Sequence, residues 1–456
     1  MAAIRIGKRG NIDMTTGSIV CALILFSLPV MLGSLFQKLY STVDAWVVGN
    51  YVNDEAFSAV GTVSPIINML INLFVGFTTG TTAVVARHVG ARDEDGAHKA
   101  VHTAALLAVV LSAILTVVGV CMTPAMLRLI HTPADVYPES YRYLTIYFAG
   151  IGGMLLYNMG SAILRAAGDT RHPSLFLVIS SLINVVLDLV LVLVFDMGVA
   201  GVAWATVISQ AVSAVLVIVA LMRADPIVRL YPRRMRFYGE TLKRITVVSL
   251  PASLQMSITS FSNVFVQSYI NDFGKACMGG WTAFQKVNNF VDIPFCAVGV
   301  AVSTFVGQNL GAKQLERARQ GVRTAQLLGG ASALLASAVA VIFAPQIAAF
   351  FNDSEEIIQY GTLFIRLITA TEVIHSVNQI YTSALRGSGN TRVPMVIMLG
   401  SFVACRQLYL LTVTTLVPGN VVLVAASYPV TWLVAAILLW SYYHFVGLER
   451  HTKKTE

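Results

Sequence analysis

Two acids stand inside long apolar stretches of this chain. Asp44 lies toward the far end of the first stretch, and Asp188 closes the segment Asn184-Val-Val-Leu-Asp188. A carboxylate inside a bilayer is costly unless it is paired, hydrated or protonated, so each is a candidate for function. The i,i+4 spacing puts Asn184 and Asp188 on one face of a helix. Thr206 and Asn158, in neighbouring apolar stretches, are at similar depth. Two carboxylates, amide oxygens and a hydroxyl suit a hard cation such as Na⁺. The same acids could instead hold a proton. A third reading is a buried polar network that merely ties spans 1, 4, 5 and 6 together.

A second polar set lies later in the chain. Glu372, His375 and Gln379 follow i, i+3, i+7 and share a helical face. Lys286, Asn288, Asn289 and Asp292 lie close together in another stretch, and Arg406 interrupts a third. Arg406 could pair with Glu372 or Asp292 and neutralise buried charge. Alternatively Glu372, Asp292, His375, Gln379 and Asn289 line a cavity that attracts cationic substrates. His375 reads either as a titrating group or as a hydrogen-bonded structural histidine. Lys38 and Arg366 read as snorkelling or salt-bridged residues.

The elements that carry these residues are membrane spans. The chain of 456 residues is 56% hydrophobic and 12% charged, which excludes an ordinary water-soluble globule. The pattern predicts an all-α integral membrane protein with twelve spans, near 17–49, 56–83, 99–122, 140–163, 173–195, 199–221, 244–270, 279–306, 321–344, 358–384, 393–416 and 420–446. Lys and Arg crowd into alternate connections, whereas the opposite loops and adjoining span ends hold only Arg128, Arg142 and Lys275. That alternation predicts both termini in the cytoplasm of a multi-pass cell-membrane protein. The net charge of +8 therefore reflects loops near anionic lipid, and no nucleic-acid partner is expected. Arg5, Lys8 and Arg9 precede a span too long for a cleavable signal core. The five cysteines show neither metal-ligand spacing nor a disulfide framework. No phosphate-binding loop is present, so ATP-driven transport by this chain alone is not expected.

The chain also repeats itself. Ala162-Ile-Leu-Arg-Ala-Ala-Gly-Asp-Thr-Arg-His-Pro173 returns 221 residues later as Ser383-Ala-Leu-Arg-Gly-Ser-Gly-Asn-Thr-Arg-Val-Pro394, and Val89-Gly-Ala-Arg92 returns as Leu310-Gly-Ala-Lys313. Six spans per half make the repeat parallel, with an N-terminal lobe over 1–222, a basic linker over 223–243 and a C-terminal lobe over 244–456. Two matched bundles suit transport by alternating access. The halves are chemically unequal, however. At that offset Asn184 faces Cys405, Asp188 faces Tyr409, and only Thr206 keeps a hydroxyl, as Ser427. The asymmetry favours one coupling site, in the first lobe.

With Ser27-Leu-Pro29, Val43-Asp44-Ala-Trp-Val-Val-Gly49, Val89-Gly-Ala91, the doubled Arg-x-x-Gly-Asp/Asn-Thr-Arg-x-Pro element and Asn184-x3-Asp188 in order, the chain resembles a MATE (multidrug and toxic compound extrusion) transporter over roughly 17–446. The resemblance implies twelve helices in two six-helix lobes forming a V. It also implies export of drugs, often organic cations, against Na⁺ or H⁺. It places the cation site at Asp44, Asn184, Asp188 and Thr206, with Asn158 nearby. One departure is that span 7 offers Gln255, Asn263 and Gln267 where members of the NorM branch carry an acid. The expected activity is antiport of small organic compounds by a monomer, with no cofactor besides the coupling ion. Rival readings are a lipid-linked oligosaccharide flippase, which needs a basic cavity, and a membrane-embedded lipid enzyme, for which no catalytic motif is found.

Overall fold

In a bilayer an apolar run has no water to satisfy its backbone, so it must close its own hydrogen bonds as a helix. The computed structural model describes residues 11–448 apart from Asn53 and His131, and no strand is formed among the described residues. The first half contains α1 (Ile19–Tyr51), α2 (Asp54–Gly90), α3 (Glu94–Leu129), α4 (Tyr137–Ala166), α5 (Arg171–Leu189) and α6 (Gly198–Met222). The second contains α7 (Gly239–Asn271), α8 (Lys275–Val291), α9 (Ile293–Gly311), α10 (Leu315–Ile342), α11 (Ala344–Phe351), α12 (Glu355–Phe364), α13 (Glu372–Gly387), α14 (Arg392–Leu399), α15 (Arg406–Leu416), α16 (Val421–Ala425) and α17 (Ser427–Phe445).

Ten helical stretches are long and apolar enough to cross a bilayer, and α12 with α13, bent by 48°, makes an eleventh. The remaining long helix, α7, is less apolar because Ser249, Ser253, Gln255 and Ser257 stud it. These residues are buried, with α2 packed closely along α7. The chain is thus an all-α membrane protein of two six-span lobes. Several expected single spans are broken helices: the eighth is α8 and α9, divided at Asp292, and the eleventh is α14 and α15.

The lobes meet at the end that carries the repeated motifs. A Cβ on Gly90 would lie 1.9 Å from the carbonyl oxygen of Gln308, and one on Gly311 would lie 2.0 Å from that of Arg87. The two copies of the motif therefore cross, each glycine seated on the other lobe's backbone. Gly168 and Gly389 adopt matching left-handed turns, with φ of 88° and 87°.

A strap of residues before α1 reinforces this closure. The Ile12 amide donates to Gly168 O (3.1 Å) and the Met14 amide to Gln308 Oε1 (3.2 Å). Arg317 on α10 donates to the carbonyls of Met14, Thr16 and Gly17 at 3.2, 2.9 and 2.9 Å. Ile12, Met14, Ala22, Leu23 and Phe26 accordingly belong to the apolar core of the second lobe. Farther along, Asn72 donates to Ser260 Oγ (2.6 Å) and Lys38 to Asn289 Oδ1 (3.2 Å).

Candidate functional site

Four of the charges named from the sequence, Asp188, Asp292, Glu372 and Arg406, adjoin places where α-helical hydrogen bonding fails, whereas Asp44 lies within the unbroken α1. Asp188 precedes a π-helical turn, Val190–Val194. Glu372 begins α13 just after the π-helical turn Ile365–Thr369, and Arg406 begins α15 directly after another, Gly400–Cys405. Asp292 links α8 to α9, where Pro294 supplies no amide. Irregular backbone at membrane depth is tolerated where it faces protein or a polar cavity. The first turn of α13 also offers an N-terminal dipole that favours the Glu372 carboxylate.

In the first lobe, α1 and α5 bring Asp44 and Asp188 together, near enough for their carboxyls to interact directly. Asn184 and Asp188 are both completely buried (0% exposed) on one face of α5. Neither oxygen of Asp188, neither polar atom of the Asn184 amide and not the Asp44 Oδ1 has a hydrogen-bond partner among the described residues. Leaving such groups unsatisfied costs on the order of 1–3 kcal/mol each, and more for a charge. The donor set therefore fits a monovalent cation or a proton, either of which would relieve that cost.

The other two expected members each have a local partner. Thr206 Oγ1 donates to Val202 O in its own helix (3.0 Å), which leaves the oxygen free to accept. Asn158 Nδ2 donates to Met154 O (2.8 Å), and the residue borders a separate cavity of ≈ 90 Å³ with Gln37, Tyr157 and Arg165. Two residues that the sequence did not single out lie in the neighbourhood of the acids. Tyr40, one turn before Asp44, lies within electrostatic reach of that carboxyl, and Tyr143 on α4 within reach of both Asp44 and Asp188. A tyrosine in an apolar helix carries no pattern that marks it as a site residue.

In the second lobe, Asp292, Glu372 and His375 converge, with one ligand atom of each within 4.8 Å of the others. His375 Nδ1 and Glu372 Oε2 are 3.0 Å apart, while Glu372 Oε1 and Asp292 Oδ1 are buried without a hydrogen-bond partner among the described residues. The His375 ring stacks on Trp432 at 4.7 Å and 8°. Asn288 Nδ2 reaches Asp292 Oδ2 at 3.4 Å. Gln379 lies farther along α13, against Gly299 of α9.

The expected pairing of Arg406 with these acids is not formed. Arg406 donates to Asn263 Oδ1 (2.9 Å) and Thr431 Oγ1 (3.2 Å from Nη2) and stands over the rings of Tyr428 (4.3 Å) and Phe402 (5.1 Å). Neutral oxygens from α7 and α17 and aromatic faces from α17 and the π-helical turn before α15 hold its charge, and neither acid is paired with it.

The sequence matches the MatE family model over residues 29–190 and 251–408, one match in each half. It is 27% identical over 434 residues to the probable multidrug resistance protein YoeA of Bacillus subtilis, covering 92% of this chain and 93% of that protein. The multidrug export protein MepA of Staphylococcus aureus is 19% identical over 81% of this chain and 82% of its own length. Among solved structures, an outward-facing MATE family transporter of the MOP superfamily superposes with a TM-score of 0.89 at 24% identity, over 96% of this chain and 98% of that one.

Proposed function

The chain belongs to the MatE family of transporters, and we propose that it is a cation-coupled antiporter that exports small organic, often cationic, compounds by alternating access. The observation that carries this reading is the set of buried polar atoms on Asp44, Asn184 and Asp188 that have no hydrogen-bond partner among the described residues. Inward movement of Na⁺ or H⁺ satisfies that set. Substrate occupies the space between the lobes, against Asp292, Glu372 and His375. Thr206 adds an oxygen to the ion site, and Asn158 acts from the adjoining cavity. The drug-resistance roles in the names of the Bacillus and Staphylococcus relatives support export as the direction.

The positive-inside pattern supports a plasma-membrane protein with both termini in the cytoplasm. On that orientation the closed seam at Gly90 and Gly311 is cytoplasmic, and this conformation opens outward. Coupling follows if the ion binds this conformation more tightly than the inward-open one, since equal affinity would shift nothing. A flippase would need a basic cavity, and of its two candidate groups, Arg406 and Lys286, the Arg406 guanidinium is already engaged by Asn263, Thr431 and two rings. The transporter works as a monomer, because each chain carries both lobes.

Efflux of a fluorescent cationic dye from energised cells tests the proposal, with wild type beside Asp188→Asn, in Na⁺ and in Na⁺-free buffer at two pH values. Export that depends on Asp188 is expected, and its response to Na⁺ against pH identifies the ion. Export unchanged in a properly inserted Asp188→Asn protein would remove the ion site from the first lobe.

A further inference from the structure

The basic linker between the lobes is pinned along its length. Val228 and Leu230 are buried in the apolar core of the first lobe, and the Leu230 amide donates to Leu221 O (3.1 Å). Two histidines one turn apart on α3 hold the same stretch. His98 Nε2 lies 2.6 Å from Pro226 O, and the Tyr231 amide donates to His102 Nε2 (3.1 Å). The Tyr231 ring stacks on His102 at 6.2 Å and 10°. Farther on, the Tyr238 amide donates to Thr103 Oγ1 (3.3 Å), and α7 begins at the next residue, Gly239. The first helix of the second lobe is thus tied at its start to α3 of the first.

The partners of the two rings fix their protons. His102 Nδ1 lies 2.6 Å from His98 O, an oxygen that can only accept, so Nδ1 carries the hydrogen and Nε2 offers its lone pair to Tyr231. That bond exists only while His102 is neutral. A second proton, on Nε2, would set one N–H against another in a site where His102 is 2% exposed. The groups acting on the ring are His98 from α3 and Arg234 from the linker, and neither offers a negative charge. Lys99 and Asp95 pair with each other on the exposed side of α3. His98 differs from His102, because its Nε2 donates to Pro226 O and a protonated ring would donate there equally well.

We infer that His102 is a proton-operated clasp: neutral, it ties the linker and the start of α7 to α3, and protonated, it lets them go. The inference goes beyond the proposed transport cycle and uses that reading only for the side concerned, which the basic linker puts in the cytoplasm. The clasped form excludes the second proton, whereas the released form takes it up at the ordinary histidine pKa of about 6.5. Clasping is therefore in full force above about pH 6.5 and weakens by up to about tenfold for each pH unit below it. Since α3 starts shortly after Gly90 of the closed seam, acid on that side loosens the tie between the lobes at the end that must part.

The test is hydrogen exchange of the purified full-length protein in lipid nanodiscs, read over residues 228–238 between about pH 7.5 and 5.5, with intrinsic exchange rates divided out. Wild type should lose about tenfold in protection across that range. His102→Gln, whose amide oxygen accepts at every pH, should show no such loss, whereas His98→Gln should keep it. A level wild-type profile needs no variant and overturns the clasp by itself. An equal loss in His102→Gln would overturn it too, because the proton would then act elsewhere. Disappearance of the pH dependence in His98→Gln, with His102→Gln still responding, would move the proton to the other ring and overturn the assignment to His102.

Discussion

Replacing Gly90 with alanine acts on the closed end of the molecule and nowhere else. The added methyl would start 1.9 Å from Gln308 O and 2.6 Å from its Cα, both backbone atoms that no rotamer change can move. Ordinary contact begins at 3.4 Å, so the seam must part by roughly 1.5 Å to accept it. Overpacking of this kind costs about 1–3 kcal/mol. Once the lobes separate the methyl meets no opposing backbone, so the cost falls on the closed form. Carried wholly by one state, it shifts the conformational equilibrium about 5- to 150-fold toward the form open at that end. Gly311→Ala should behave alike, because its methyl would start 2.0 Å from Arg87 O. The assay is double electron–electron resonance between labels at Glu94→Cys and Gln320→Cys, exposed positions on either side of the seam, in a background freed of the native cysteines. Both glycine variants should lengthen the distance distribution, and the double variant should fall short of the sum because both act on one contact. Gly330→Ala is the control: a Cβ there meets nothing within 4 Å. It should gain up to about 1 kcal/mol of helix propensity and leave the distances unchanged. Wild-type distances in both glycine variants, or a shift in only one of them, would refute the crossed-motif account.

Two further outcomes concern the same face. Arg317→Ala removes three donations to the carbonyls of Met14, Thr16 and Gly17. Bonds to a charged donor are worth about 1.5–3 kcal/mol each, so residues 12–17 should lose hydrogen-exchange protection by at least about tenfold. Arg317→Lys should restore little of it, since an ammonium lacks the planar fork; unchanged protection in Arg317→Ala would show that the strap is held by its apolar side chains. Asp93 caps α3 by accepting from the Gly96 amide (2.9 Å), with His88 Nδ1 2.8 Å from its other oxygen. The Gly96 amide, and next His88, hold the Asp93 carboxyl below its usual range. The cap is therefore in force above the ordinary carboxylate pKa of about 4 and is lost as pH falls through the lowered value. Asp93→Ala should cost about 1 kcal/mol in protection of the first turn of α3, and the difference from wild type should vanish in acid; a difference that persists there would mean the charge is not involved.

Much of this architecture is legible in the sequence because a bilayer leaves few choices. Long apolar runs must be helices, basic loops mark one side, and a motif repeated at a constant offset reveals two lobes. The acids are legible too, since a charge inside an apolar run stands out. The breaks beside them are not. The π-helical turns after Asp188 and before Glu372 and Arg406 shift hydrogen bonding by one residue and leave no mark in composition. Of these breaks, only the one at Asp292 has a proline beside it, Pro294. The partners of Arg406 were misread for a related reason. Charges can be paired on paper by sign, but Asn263 and Thr431 become its neighbours only when α7 and α17 converge on the start of α15. Lys38 was discounted because a lysine in a span reads the same whether it reaches lipid or the opposite lobe. The strap over residues 12–17 has no periodicity, so its binding to Arg317 and Gln308 could not be foreseen.

The crossed glycines also bear on ancestry. When residue i of one half packs on residue j of the other, and j's counterpart packs on i's, the contact has the form made by two identical subunits about a two-fold axis. Gly90 on the turn at Gln308 and Gly311 on the turn at Arg87 are such a pair, now joined in one chain by a linker. A protein of a single half could have made the same seam as a homodimer before duplication and fusion. After fusion the two chemical sites were free to diverge, and they did: Asp188 stands where the second half has Tyr409. The seam had no such freedom, because a side chain added to either glycine is felt by the backbone of the other copy.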